Sequence, residues 1–293
     1  MNILEYENYH EKILHGNPLF PYITYLCSIP LDFSYVPVHW HDEIEIVYIK
    51  KGRGIITVEL KQYQVSAGMI ALILPGQLHS IEQFESESME YENIIFHPNI
   101  LLSKKTDSCN TEYIEPLLHG NVAVPMFYRP EDPYYKEISA CIDANDEICK
   151  TNPQGYQLFI KSQLYLFFFT LFNKCCLKEA PKKDYKSLEK MKTILKYIEN
   201  NYMEKITVED MANEVHLSQS HFMKYFKNTM GTSFIDYLNE YRLTMASRLL
   251  LSSESSILDI AAEVGFDNLS YFNRIFKKRF EMTPSAYRKK YTL

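Results

Sequence analysis

No apolar run in this chain is long enough to cross a bilayer. The most hydrophobic stretch, Leu158 to Phe172, covers fifteen residues and includes Lys161 and Gln163, whereas a spanning helix needs about twenty. The start of the chain carries Glu5, Glu7 and Glu11 instead of a basic-then-apolar leader, so the sequence reads as cytoplasmic. The six cysteines (Cys27, Cys109, Cys141, Cys149, Cys175 and Cys176) form no Cys-x-x-Cys pair and show no zinc-type spacing. Adjacent Cys175 and Cys176 read as small apolar residues ending a buried helix rather than as a redox switch. A glycine-rich phosphate loop and a nucleophile elbow are both missing, which argues against nucleotide hydrolysis and serine-hydrolase chemistry. Stacking platforms and basic tails of the RNA-binding kind are missing too.

What the chain does contain is a repeat. Thr207-Val-Glu-Asp-Met-Ala-Asn-Glu-Val215 returns forty-nine residues later as Ser256-Ile-Leu-Asp-Ile-Ala-Ala-Glu-Val264. Phe222-Met-Lys-Tyr-Phe-Lys227 returns fifty residues later as Phe272-Asn-Arg-Ile-Phe-Lys277. Each copy opens with a hydroxyl three places before an acid, Thr207 to Asp210 and Ser256 to Asp259, the spacing of a capping box. Each breaks after Val215 or Val264, and a short turn follows: His216-Leu-Ser218 or Gly265-Phe-Asp267. Ser218 and Asp267 are placed to cap a second helix. In that helix Phe222, Tyr225 and Phe226, or Phe272, Ile275 and Phe276, recur at helical spacing. Helix, tight turn and amphipathic helix make a helix-turn-helix, and the sequence encodes two.

Thr232 to Leu251 joins the copies, with Phe234, Tyr237, Leu238, Tyr241, Met245, Leu249 and Leu250 on one helical stripe. About twenty helical residues run roughly 30 Å, close to the roughly 34 Å between successive major-groove faces on one side of a duplex. Several motifs in order carry a resemblance: Ser218-Gln-Ser-His221, Gly231-Thr-Ser-Phe234, Tyr241-Arg-Leu243, Ala261-Ala-Glu-Val-Gly-Phe266, Ser270-Tyr-Phe272, Phe276-Lys-Lys278 and Thr283-Pro-Ser-Ala-Tyr287. Over about one hundred residues, from near Ser187 to Lys290, the chain resembles the AraC/XylS transcription-regulator domain. With the aromatic residues turned to the core, the groove-facing positions are Gln219, Ser220, Met223 and Lys224, then Leu269, Ser270, Asn273 and Arg274. The resemblance supports the same eight. Arg274 is the leading base reader, because a guanidinium bonds bidentately to guanine; a phosphate contact is the alternative.

Charge is uneven along the chain. The formal net charge is −6. From Lys186 onward sixteen Lys and Arg stand against thirteen Asp and Glu, while the preceding part has fifteen against twenty-four. The acidic part should sit away from phosphate. In that part, Tyr22–Leu26, Ile44–Ile49, Gly54–Leu60, Ile70–Leu74 and Asn93–Phe96 read as strands. Pro37, Lys51-Gly-Arg-Gly54, Ala67-Gly68 and Pro75-Gly76 act as breakers at the spacing of a sandwich or barrel. A short helix is expected near Ile114 to Leu118, then helices over Tyr134–Ile148 and Leu158–Cys176, a charged linker at Lys178–Asp184, and a helix over Leu188–Tyr202. The Leu158–Cys176 helix is apolar nearly all round, which points to burial against a partner subunit.

His39-Trp-His41, Glu45 and Gly52, followed by Gly68 and Pro75-Gly-Gln-Leu-His79, are similar to the two cupin signatures, with Gln83 where an Asn is usual. On an extended strand His39 and His41 share one face, and imidazole with carboxylate suits a first-row divalent metal. His39, His41, Glu45 and His79 are read first as an organic-effector pocket, with a metal site second and structural histidines third. Trp40 faces the other way, toward core or interface. Tyr22, Tyr25, Tyr35 and Tyr48 are candidates to line a ligand pocket.

The expected fold is mixed. Residues 1–180 form a cupin-like β-barrel with a helical dimerisation segment, and residues 186–293 form an all-α domain with two helix-turn-helix motifs. The resemblance implies a sequence-specific, effector-responsive transcription regulator and not an enzyme. Its partners would be double-stranded DNA, a small molecule (a sugar among the candidates), a second copy of itself and RNA polymerase. The sequence calls for no certain cofactor; a divalent metal in the cupin site is the one candidate. The reading set against it is a metal-dependent cupin enzyme with a vestigial DNA-binding domain.

Overall fold

A computed structural model describes residues 19–32, 35–103, 107–177 and 185–291. They form two compact units, one up to residue 177 and one from 185 onward. The expected linker Lys178–Asp184 and the first eighteen residues lie outside the described part.

The first unit is built on eight antiparallel strands: β1 (Tyr22–Ile29), β2 (Tyr35–His39), β3 (Ile44–Val58), β4 (Lys61–Ser66), β5 (Ile70–Ile73), β6 (His79–Gln83), β7 (Met89–Phe96) and β8 (Phe127–Tyr128). Two expected strands are one. β3 runs straight through Lys51-Gly-Arg-Gly54, its first part pairing with β5 and β7 and its second with β4 and β6. The run was expected to end the strand; instead it bends it. The register with β7 slips between Ile49 and Lys51, and Gly52 adopts φ +75°, where an added Cβ would lie 1.8 Å from the Ser88 carbonyl oxygen. A β-bulge with a left-handed glycine lets one strand serve two sheets without losing its ladder.

Side-chain alternation divides the work of β3. Ile44 and Ile46, with Ile70, Leu72, Ile94 and Phe96, face a helical layer. That layer consists of α1 (Glu115–Leu118), α2 (Tyr135–Cys149) and α3 (Tyr156–Thr170), with π-helical turns at Asn110–Ile114 and Leu171–Cys175. Ile138, Ile142, Ile160, Leu164, Phe167 and Phe168 complete this core. Glu45, between Ile44 and Ile46, must therefore point the other way. Tyr22 and Tyr48 belong to the helix-facing core and Tyr35 is exposed, so the four tyrosines do not gather around one pocket. Trp40 is buried.

The second unit is helical: α4 (Tyr185–Asn201), α5 (Val208–Glu214), α6 (Gln219–Met230), α7 (Phe234–Ser252), α8 (Ile257–Glu263), α9 (Leu269–Phe280) and α10 (Pro284–Tyr291). The first capping box is complete: the Asp210 amide donates to Thr207 Oγ1 at 3.1 Å and the Thr207 amide to Asp210 Oδ2 at 2.8 Å. Ser256 accepts from the Asp259 amide at 3.1 Å. Ser218 caps α6 as expected, but α9 is capped by Asn268, whose Oδ1 accepts from the Tyr271 amide at 2.9 Å. Asp267 is not the cap because the second turn is one residue longer, which is why the repeat period grows from forty-nine to fifty.

The fifty-residue period also continues beyond α6 and α9. Gly231 and Glu281, fifty apart, both end a helix with positive φ, +70° and +59°. Ser233 then caps α7 and Thr283 supplies the same amide bond for α10. Phe226 meets Tyr237 edge-on at 5.2 Å and Phe276 meets Tyr287 edge-on at 5.6 Å. α10 thus does for the second copy what the start of α7 does for the first.

Candidate functional site

In the first unit four chemistry-bearing side chains converge. His39 ends β2 and His79 opens β6, and the two are direct partners across the β2–β6 pair. Glu45 comes from β3 and His41 from the segment between β2 and β3. The three histidines are 1% exposed and Glu45 is 2% exposed. One donor atom from each lies within 4.8 Å of all the others. His41 Nε2 is 2.8 Å and His79 Nε2 2.9 Å from the same Glu45 oxygen. On the other side of each ring, Nδ1 faces a backbone carbonyl: Pro37 at 2.9 Å, Glu43 at 3.1 Å and Gln77 at 2.9 Å.

Each Nδ1 donates to its carbonyl, since a carbonyl only accepts; Nε2 of His41 and of His79 then faces a Glu45 oxygen, which it meets as a donor when the ring is protonated or shares with a cation when the ring is neutral. Pro37 gives no N–H to a ladder, yet its carbonyl orients His39. Gln77 is fixed in turn, its Oε1 accepting from the Leu74 amide at 2.7 Å. Burial, and then the neighbouring His79 and His41, hold the His39 imidazolium well below the usual histidine range. For Glu45 burial pushes the carboxyl up, but attraction to His79 and the bonds from His41 and His79 prevail and hold it well below the usual carboxylate range. The centre therefore gathers one carboxylate and three imidazole rings, a donor set able to hold a divalent cation.

In the second unit the aromatic face of each second helix is inward, with Phe222, Phe226, Phe272 and Phe276 fully buried. Gln219, Ser220, Met223 and Lys224 are exposed on α6; on α9, Ser270 and Arg274 are exposed, and Leu269 and Asn273 half-buried. Two matching sets of side chains thus stand at the start of two helices, each presented by a tight turn. The family model described as an AraC-like ligand binding domain matches residues 20–167, just over half of the chain. The helix-turn-helix domain model matches residues 211–290.

The chain belongs to the AraC family of transcription regulators.

The similarity extends over whole AraC-family chains. It is 28% identical over 284 residues, 97% of each chain, to the uncharacterized HTH-type transcriptional regulator YdeC of Bacillus subtilis. It is 24% identical over 256 residues to the HTH-type transcriptional activator RhaR of Mannheimia succiniciproducens, covering 87% of this chain and 88% of that one. Among solved structures, ToxT of Vibrio cholerae aligns over 91% of this chain and 94% of its own, at 19% identity and a TM-score of 0.42.

As an AraC-family member the protein is a DNA-binding transcription regulator, with an N-terminal ligand-binding domain and a C-terminal helix-turn-helix domain. Among its described residues no helix is long and apolar enough to cross a membrane. Sequence reading missed three polar residues of the AraC-type reader. Asn268 caps α9; Tyr271 accepts a bond from Asn239 Nδ2 at 3.0 Å, tying α9 to α7, and carries the Arg274 guanidinium 5.2 Å from its ring. Arg242 is buried. Tyr271 and Arg242 both stood in motifs that carry the resemblance, Ser270-Tyr-Phe272 and Tyr241-Arg-Leu243, without a role assigned to either.

Proposed function

We propose that His39, His41, Glu45 and His79 are the response centre of the sensor, and that the species they hold directly is a divalent first-row transition metal ion. The carrying observation is the convergence of three carbonyl-oriented imidazole nitrogens and one carboxylate in a fully buried cluster. Outer-sphere carbonyls that fix the tautomer are the usual support of histidine ligands, and the donor set suits such an ion. Donors this close leave room for an ion rather than an organic molecule, which sets metal ahead of direct effector contact. An ion bound here contributes charge neutralisation and ties β2, β3 and β6 together; an organic effector would act on the same strands.

The rest of the reading follows from the family. Residues 1–180 sense and assemble, and residues 186–293 read DNA in the cytoplasm, with Gln219, Ser220, Met223, Lys224, Leu269, Ser270, Asn273 and Arg274 toward the groove and RNA polymerase as the downstream partner. The intact double reader argues against an enzyme with a vestigial DNA-binding domain. A homodimer through α3 is supported by its bare apolar face: Leu158 is 75% and Phe169 61% exposed. Phe169 also lines an aromatic groove of about 710 Å³ with Tyr113, Tyr165 and Phe172.

Metal analysis of the purified full chain, followed by DNA-affinity measurements with added Mn, Fe, Ni or Zn and with a chelator, tests the central proposal. One ion per chain is expected, with DNA affinity changed on its removal and neither effect surviving in His41→Ala or His79→Ala. A chain free of metal, whose DNA affinity ignores ions, chelator and both substitutions, would return the four residues to a structural role.

A further inference from the structure

Arg242 is a charged side chain buried in the second unit that no cap or groove contact accounts for. From the middle of α7 its Nε donates to the Tyr202 carbonyl at 2.8 Å and its Nη2 to the Glu204 carbonyl at 2.7 Å. The guanidinium carbon lies 5.7 Å from the centre of the Phe266 ring, and the Asp267 carboxylate adds attraction. Tyr202 and Glu204 follow α4 and lead into the Thr207 cap of the first helix-turn-helix. Phe266 and Asp267 belong to the turn of the second. One side chain of the connecting helix therefore engages both copies.

Gly265 makes the same junction from the opposite side. Its φ is +89°, and an added Cβ would lie 2.6 Å from the Tyr202 carbonyl oxygen and 2.9 Å from both Nε and Nη2 of Arg242. The equivalent residue in the first turn, His216, has φ +53° and is exposed with a full side chain. A left-handed turn residue alone does not demand glycine here. The junction with Arg242 does.

We infer that Arg242 is a positioning residue for DNA binding: it fastens the approach to the first helix-turn-helix and the turn of the second onto α7, and so fixes the spacing between the two reader helices. This rests on the reading that α6 and α9 contact one duplex together. Two linked readers gain affinity over one only while their separation matches that of the half-sites, and a stiff connection sharpens that requirement. An arginine fork suits the task because two carbonyls and a ring face are served at once, which a lysine ammonium cannot do in the same geometry.

The test uses the full chain and a duplex selected by it from a random pool, then two derivatives: one half-site scrambled, or two base pairs inserted between half-sites. The wild type should lose about 10–100-fold on either change. Arg242→Lys should lose about tenfold on the intact duplex, stay within about twofold of wild type on the single half-site, and tolerate the insertion. Equal losses on the intact and scrambled duplexes, or a retained preference for the original spacing, would overturn the role. Should Arg242→Lys not fold, Phe266→Leu removes only the ring beneath the guanidinium and is judged by the same outcomes. A wild type indifferent to the insertion would remove the two-reader reading itself, a result distinct from failure of the Arg242 assignment.

Discussion

At the scale of single residues, the two turns make opposite demands on equivalent positions. A left-handed backbone costs a residue with a Cβ about 1–2 kcal/mol. At Gly265 a Cβ would also collide with the Tyr202 carbonyl and the Arg242 fork, so Gly265→Ala should destabilise the helical unit by about 2 kcal/mol or more. His216 already bears the backbone cost in the open. His216→Gly relieves it but frees the unfolded chain, and should leave stability within about 0.5 kcal/mol. Urea midpoints of the two variants check the contrast, and equal effects would refute it. Arg274, held over Tyr271, begins partly ordered. Arg274→Ala should weaken binding by about 1–3 kcal/mol and relax preference at one base position. Selection on random duplexes reads this directly, and an unchanged preferred site would reassign Arg274 to phosphate.

At the scale of elements, helix ends and helix faces can be separated. The α9 cap is Asn268 rather than Asp267, so Asn268→Ala should cost about 1 kcal/mol and Asp267→Ala much less. A larger loss at Asp267 on thermal melting would contradict the placement of that cap. For α3, Leu158→Glu combined with Phe169→Glu places charge on a face already open to water. The double variant should keep its helical circular dichroism and run as a monomer in light scattering where the wild type runs as a dimer. A wild type that is monomeric at micromolar concentration, with and without DNA, removes the dimer.

For the molecule as a whole, a ligand alters DNA affinity only through its differential affinity for two states of the protein, and this coupling is reciprocal. If metal at the His39–His41–Glu45–His79 centre changes DNA affinity by some factor, saturating duplex must change metal affinity by the same factor. Titrating metal with and without the selected duplex measures this. Unequal factors would mean that the ion acts elsewhere, for example on the DNA itself.

The double helix-turn-helix was legible in the sequence because helix caps and aromatic periodicity are local. Thr207, Ser218 and Ser256 announce helix starts within three residues, and the repeat doubles every signal. The four clustered residues were legible as a set through their spacing, although His41, read on one strand with His39, lies just beyond the end of β2. What the sequence could not show was decided by pairing and packing over long separations. β2 and β6 gain their order from each other and from β3, which places His39 opposite His79 across forty residues of chain. Lys51-Gly-Arg-Gly54 reads locally as a break, but β4, β6 and β7 hold it in the ladder. Arg242 looks like an ordinary polar residue of an amphipathic helix until α4 and the second turn close over it. Local chemistry thus named the elements, whereas long-range backbone pairing and burial decided which side chains meet, because those energies depend on residues far apart in the chain.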